Sequence, residues 1–159
     1  DTCVLNTGAI PGHDFPTTHP HYYPVKPIRE LLIALPQIDQ QMSRDGASMV
    51  IVGSGDAGIE LAFAFRTRFG GAACVTLISK RPFEADAALS AAAKAIRRVL
   101  VDRGITCIES QAVVEAAADS VVLSDGRSVA ADVICAATTV HPQTGFLTQH
   151  FLPSKGFLQ

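Results

Sequence analysis

What this sequence lacks narrows its work before any motif is read. Its 13 Lys and Arg residues form no long basic run, and the formal net charge is −2. A chain without a basic stripe has no electrostatic footprint for nucleic acid or for an anionic membrane surface. No apolar stretch reaches the roughly 20 residues that a bilayer-crossing helix needs, and no signal segment is visible. The four cysteines, Cys3, Cys74, Cys107 and Cys135, never stand in C-x-x-C spacing, which argues against a zinc site. They fall in strand-like segments and are expected to be reduced, buried small hydrophobes of a cytoplasmic protein. An initiator methionine is missing too. The chain opens Asp1-Thr2-Cys3 and reads as a fragment. There is no internal repeat and no low-complexity segment.

What is present is the material of one α/β domain. At 159 residues and 48% hydrophobic content, the chain is large enough to bury a sizeable core. Its centre is Met49 to Phe69, M-V-I-V-G-S-G-D-A-G-I-E-L-A-F-A-F-R-T-R-F. Met49 to Val52 is an apolar run without alternation, as in a parallel strand buried on both faces. Gly53-Ser54-Gly55-Asp56-Ala57-Gly58 has the G-x-G-x-x-G spacing. Gly58, Leu61, Ala62, Phe65 and Phe69 then recur with helical periodicity. Between a strand and a helix, this turn reads as a dinucleotide site of the Rossmann kind. Gly53 permits the tight turn, Gly55 lets the backbone approach a pyrophosphate, and Gly58 lets the helix pack closely on the strand. The helix N-terminus adds free N–H groups, with Asp56 as its candidate N-cap. The alternative is an unliganded strand-to-helix turn.

The rest of the chain fits around that unit. Cys3-Val4-Leu5 reads as a short strand, and a loop rich in Pro and His runs to Pro24. A helix follows with Leu31, Leu32, Leu35 and Ile38 as its apolar stripe and Pro36 as a candidate kink. Cys74 to Ile78 is a second buried strand. Ala87 to Arg103 is a helix with Leu89, Ala92, Ala93, Ile96, Val99 and Leu100 on its buried side, closed by Gly104. Ile105 to Glu109 is a third parallel strand. Ala112–Glu115, Ser120–Leu123 and Arg127–Val129 form a three-stranded antiparallel meander with Asp125-Gly126 as a hairpin turn. Asp132 to Ala136 returns to the sheet, and Gln143 to Gln159 is a tail. The expected fold is α/β: a Rossmann-like parallel sheet with flanking helices, on both faces or on one face opposite the meander.

These parts, in this order, resemble the NAD(P)-binding domain of FAD-dependent pyridine nucleotide–disulfide oxidoreductases. The branch most similar is that of type II NADH dehydrogenases and the flavoproteins fused to selenide, water dikinase. Cys3 to Pro11 is similar to the strand leading out of the family's FAD domain, and Pro24 to Leu32 to a helix start in that branch. Gly53 to Leu61 matches G-x-G-x-x-G-x-E-L. Asp125-Gly126 and Ala131 to Thr138 resemble the meander turn and the strand back, and Leu152 to Leu158 the re-entry into the FAD domain. The resemblance implies a single NAD(P)-binding domain, residues 1–159, inserted in a discontinuous FAD domain. Its core would be about residues 25–140, with 1–24 and 141–159 as crossovers. The first FAD glycine motif and the late FAD Gly-Asp motif are absent. The parent protein would pass a hydride from NAD(P)H to FAD and on to a quinone or another acceptor, while this fragment alone would not catalyse. The parent is expected in the cytoplasm or peripheral at a membrane, and the domain's partners are the dinucleotide and the FAD domain.

Four groups of residues carry the functional question. The resemblance implies that Glu60 faces the nicotinamide side; it equally suits the helix dipole in the first turn. Ser79-Lys80-Arg81 follows the second strand, about 20 residues past the glycines, where NAD enzymes place an acid on the ribose 2′-OH. No acid stands here, and a hydroxyl with two cations is what a 2′-phosphate wants; a solvated basic turn is the alternative. The family usually has A-T-G at both crossovers. Here Asn6 replaces the first alanine beside Thr7-Gly8, and Thr139 follows Ala137-Thr138 in place of the second glycine. Thr138 is retained as a cofactor contact. His13, His19, His21, His141 and His150 suggest a metal, with Asp14 near His19-x-His21, but loop histidines beside prolines are usually solvated. Lys26 is either functional in the whole protein or a surface lysine. The rival class is a non-catalytic nucleotide-sensing or interaction module with a degenerate site.

Overall fold

A computed structural model describes residues 9–12, 15–83, 90–142, 153–154 and 157–158. Expectations for Cys3–Leu5, Thr7-Gly8, His13, Asp14, Leu89 and His150 lie outside these residues. Met49, Val50, Ile51 and Val52 are all buried, and they form most of strand β3 (Ser48–Val52). Around it lie β2 (Tyr22–Pro24), β4 (Cys74–Ile78), β5 (Ile105–Ile108) and β9 (Val133–Ala136), in the order β2-β9-β3-β4-β5. Every neighbouring pair is parallel.

Alternation along the strands makes two cores. Met49 and Ile51, with Val75, Leu77, Val133 and Cys135, face helices α1 (Ile28–Gln41), α2 (Asp56–Phe69) and α3 (Ser90–Asp102), meeting Leu31, Ile38, Ala62, Phe65 and Leu100. Val50 and Val52, with Ile78 and Ile134, face the opposite way onto the meander β6 (Val113–Ala116), β7 (Ser120–Leu123) and β8 (Ser128–Ala130). Each such side chain, fully buried, contributes about 1.5–3 kcal/mol. The helices therefore share one face, and the meander covers the other. Strands β1 (Ala9–Pro11) and β10 (Val140–Pro142) pair antiparallel beyond the sheet. Pro153–Ser154 and Phe157–Leu158, β11 and β12, form a small antiparallel hairpin.

Local rules explain the ends of the elements. Gly70 follows α2 at φ +64° and Gly104 follows α3 at φ +71°, the left-handed conformation that glycine adopts without cost. Arg66 ties them together, donating to the carbonyls of Ala73 at 2.5 Å and Arg103 at 2.9 Å. Asp132 makes a further tie at the same amino-terminal edge of the strands, just before β9 and beside the start of β3. It accepts from the Ser48 backbone N–H at 2.8 Å, from the Ser48 hydroxyl at 3.0 Å and from Arg44 at 2.5 Å.

Several expectations need correcting. The Pro- and His-rich loop contains β2, because the free edge of β9 pairs with it, and Pro24 is tolerated on an edge strand. Within it His19 is buried, not solvated. Its Nε2 donates to the Ala131 carbonyl at 2.9 Å, which leaves Nδ1 to accept from the His21 N–H at 3.1 Å. Leu32 is 56% exposed: on a helix, the residue next to inward-facing Leu31 is turned about 100° away. The same step leaves Ala92 and Val99 outside while Ala93 and Leu100 are buried and Ile96 is half-buried. Helix α1 runs through Pro36 as one assigned element. Cys74 is exposed and Cys107 half-buried; among the described cysteines only Cys135 is fully buried, and burial pushes its thiol up to about 12. Among the described residues, no group of three or more His, Cys, Asp or Glu is placed to hold a metal ion. No described helix is long and apolar enough to cross a membrane.

Candidate functional site

Strands β3 and β9 lie side by side, and the chain leaves them in different directions, β3 into α2 and β9 into β10. A crevice at the carboxyl ends of parallel strands is where open α/β sheets bind ligands. Here it is a cavity of roughly 860 Å³, within the size range of small-molecule sites. Gly53, Ser54 and Gly55 line it, with Ser79, Lys80 and Arg81 beyond β4 and Ala137, Thr138 and Thr139 beyond β9. Val52 and Ile78 at its floor, with Phe15 and Gln111 to Val114, complete its described lining.

The glycine turn is shaped by close contact. Gly53 has φ +105°, and a Cβ there would strike the Ala137 carbonyl. At Gly58 a Cβ would strike the carbonyl of Gly53, so α2 sits against the turn with no room for a methyl group. Gly55 differs: its Cβ would meet nothing within 4 Å. It is also the N-cap of α2, which corrects the reading of Asp56 in that role. Asp56 is the first helical residue, and no side chain caps this end. The first-turn N–H groups therefore have no partner within the helix. Asp56, Ala57 and Glu60 are exposed and Gly58 is buried, all four outside the described lining.

Beyond β4 the arrangement is more constrained than the sequence suggests. Ser79 is only 1% exposed. Its Oγ lies 2.5 Å from the Arg81 carbonyl oxygen and 2.5 Å from Ser54 Oγ. The carbonyl can only accept, so Ser79 donates to it, and Ser54 donates to Ser79. Ser79 is thus committed within the protein, while Lys80 and Arg81 are exposed. Neither cation forms an ion pair among the described residues. The described lining carries these two cations and no carboxylate.

Phe15, Gln111, Ala112, Val113 and Val114 were not singled out by sequence. The Gln111 N–H donates to the Ser79 carbonyl at 3.1 Å, which draws the segment after β5 to the cavity. Phe15 arrives on a strap whose Pro16 and Thr18 bond to Ala116 of β6. A lone aromatic in a polar loop is the one signal that could have marked it.

The sequence matches the pyridine nucleotide-disulphide oxidoreductase model over residues 1–157. No curated protein matches it. Among solved structures, a ferredoxin reductase from Rhodopseudomonas palustris superposes with a TM-score of 0.76 at 21% identity, over 95% of this chain and 37% of that one. A water-forming NADH oxidase from Lactobacillus brevis, bound to NADH, gives 0.74 at 18%, over 94% and 33%. An HOCl-induced flavoprotein disulfide reductase from Escherichia coli gives 0.69 at 23%, over 95% and 34%. The chain spans about a third of the length of these structures. Its fold is theirs, and the match over nearly its whole length shows that this chain belongs to the pyridine nucleotide-disulphide oxidoreductase family.

Proposed function

We propose that the chain is the NAD(P)H-binding domain of a flavoprotein oxidoreductase, inserted in a separate FAD domain of a longer, cytoplasmic parent. When bound, NAD(P)H supplies a hydride, FAD accepts it, and electrons go on to a quinone or another acceptor. The observation that carries this is the cavity at the carboxyl ends of β3, β4 and β9, bounded by a glycine turn and two exposed cations that form no ion pair among the described residues. The open space at Gly55 fits a pyrophosphate lying against the backbone. First-turn N–H groups of Asp56 and Ala57 would donate to it, while Gly53 and Gly58 hold the turn and helix in shape. Lys80 and Arg81 would hold a 2′-phosphate. Thr138 and, on the nicotinamide side, Glu60 complete the binding set.

Two similar oxidases agree with the role given to the cations. The Lactobacillus oxidase binds NADH, whereas its engineered form, bound to NADPH, carries five substitutions that remove an aspartate and add two arginines and a serine. No FAD glycine motif accompanies the site in this sequence, so the chain alone should bind a dinucleotide without turning it over. The rival, a nucleotide-sensing or interaction module, draws on Thr139 at the second crossover.

Calorimetric titration with NADPH and NADH, and an absorbance spectrum, test the proposal. The expected result is a colourless protein that binds NADPH at least as well as NADH and oxidises neither with quinone or dye. Stoichiometric copurified FAD would overturn the assignment of flavin to another domain. Failure to bind either dinucleotide would favour the rival.

A further inference from the structure

We infer that Ser79 is a positioning residue, not a ligand: its hydroxyl sets the turn that offers Lys80 and Arg81 to the 2′-phosphate. The inference rests on the reading of those two cations as the phosphate-holding pair. Three observations carry it. Ser79 stands at the cavity wall but is only 1% exposed, so it offers a ligand almost no surface. Its one hydroxyl hydrogen goes to the Arg81 carbonyl, as the acceptor-only chemistry of that oxygen requires. One of its two acceptor positions is taken by Ser54, which belongs to the glycine turn.

The consequence is a short chain of hydroxyls, Ser54 to Ser79 to the backbone of Arg81, joining the turn after β3 to the turn after β4. The main chain of Ser79 is fixed independently, its N–H to Ile108 at 2.8 Å and its carbonyl from Gln111 at 3.1 Å. The hydroxyl is therefore the freely removable part. Without it, Ser79 stays in place while the Arg81 carbonyl loses its partner and the two cations lose their fixed approach. A 2′-phosphate should suffer from this; a 2′-hydroxyl, which does not use the cations, should not.

The test is calorimetric titration of NADPH and NADH on wild type, Arg81→Ala, Ser79→Ala, Ser79→Thr and the Ser79→Ala/Arg81→Ala double variant. Arg81→Ala should weaken NADPH about tenfold or more, the factor expected from losing a charge-assisted bond. Ser79→Ala should weaken NADPH several-fold and change NADH by less than about twofold, and Ser79→Thr, which keeps the hydroxyl, should restore NADPH binding. The double variant should lose less NADPH affinity than the two single losses combined, because the part that Ser79 exerts through Arg81 is already gone while its effect on Lys80 remains. Equal weakening of both nucleotides by Ser79→Ala, no weakening of NADPH, or additive losses in the double variant would each overturn the inference. If Arg81→Ala itself leaves NADPH unchanged, the phosphate reading of the cations falls, and this inference with it.

Discussion

Gly55 and Gly58 stand three residues apart in one motif and answer to different constraints. Gly55 has an ordinary φ of −67° and open space where a side chain would go. Gly58 has the Gly53 carbonyl there instead. Gly55→Val should therefore keep the fold, losing no more than about 1 kcal/mol as a poorer N-cap, and weaken dinucleotide binding at least about tenfold, since the valine occupies the pyrophosphate's approach. Gly58→Ala should lower stability by about 1–3 kcal/mol through overpacking. Thermal unfolding and calorimetry on both variants separate the two effects; normal binding by Gly55→Val would move the ligand away from this turn. The tight turn at Gly53 and the close packing at Gly58 were legible in the sequence because each depends on a backbone angle or a single missing Cβ. Ser79 was legible only as a hydroxyl near two cations. That it is buried and already bonded depends on Ser54, 25 positions earlier, and no local pattern encodes that pairing. His19 escaped for the same reason, since its acceptor is the carbonyl of Ala131, 112 positions away.

At the level of elements, helices and strands with strong apolar periodicity were readable in advance, and the glycines marked where α2 and α3 stop. The three-residue β2 was not, because its reason to be extended is the edge of β9, contributed by residues 133–136. Asp132 shows how such distant elements are joined. It stands before β9, bonds to Ser48 at the start of β3, and pairs with Arg44 in the turn after α1. Burial alone would raise its carboxyl, but the bonds from Ser48 and the Arg44 guanidinium outweigh it and hold the group below the usual carboxylate range. A carboxyl lowered in the folded state adds stability above its unfolded value near 4 and loses that contribution as pH falls through the folded value. Asp132→Ala should therefore cost about 2 kcal/mol near neutral pH, and the gap from wild type should narrow below about pH 4. Urea unfolding of both proteins at about pH 7 and about pH 3 checks it. A gap that stays constant would mean that the charge of Asp132 contributes nothing.

Across the whole molecule, one sheet separates two cores, and the sequence announced both through the unbroken apolar run of Met49, Val50, Ile51 and Val52. It left open which layer covered which face, because a continuously apolar strand says only that both faces are buried. The strap through Phe15, Thr18 and His19 then closes the meander side, bonding first to β6 and then behind β8. Deep in this arrangement, Cys135 sits in β9 between β2 and β3, with no exposed surface. Its thiol becomes a clock for the opening of the native state. Cys74, exposed at the start of β4, should react at once with a small alkylating reagent. Cys135 should react about a thousandfold more slowly or less, at a rate set by the fraction of molecules in which the sheet has parted. Mass spectrometry of the labelled peptides reads both rates in one tube. If urea accelerates Cys135 labelling with the full slope of global unfolding, β9 opens only when the whole sheet does. A labelling rate indifferent to urea would mean that the short β2 peels away alone, exposing the middle of the sheet while the other strands remain paired.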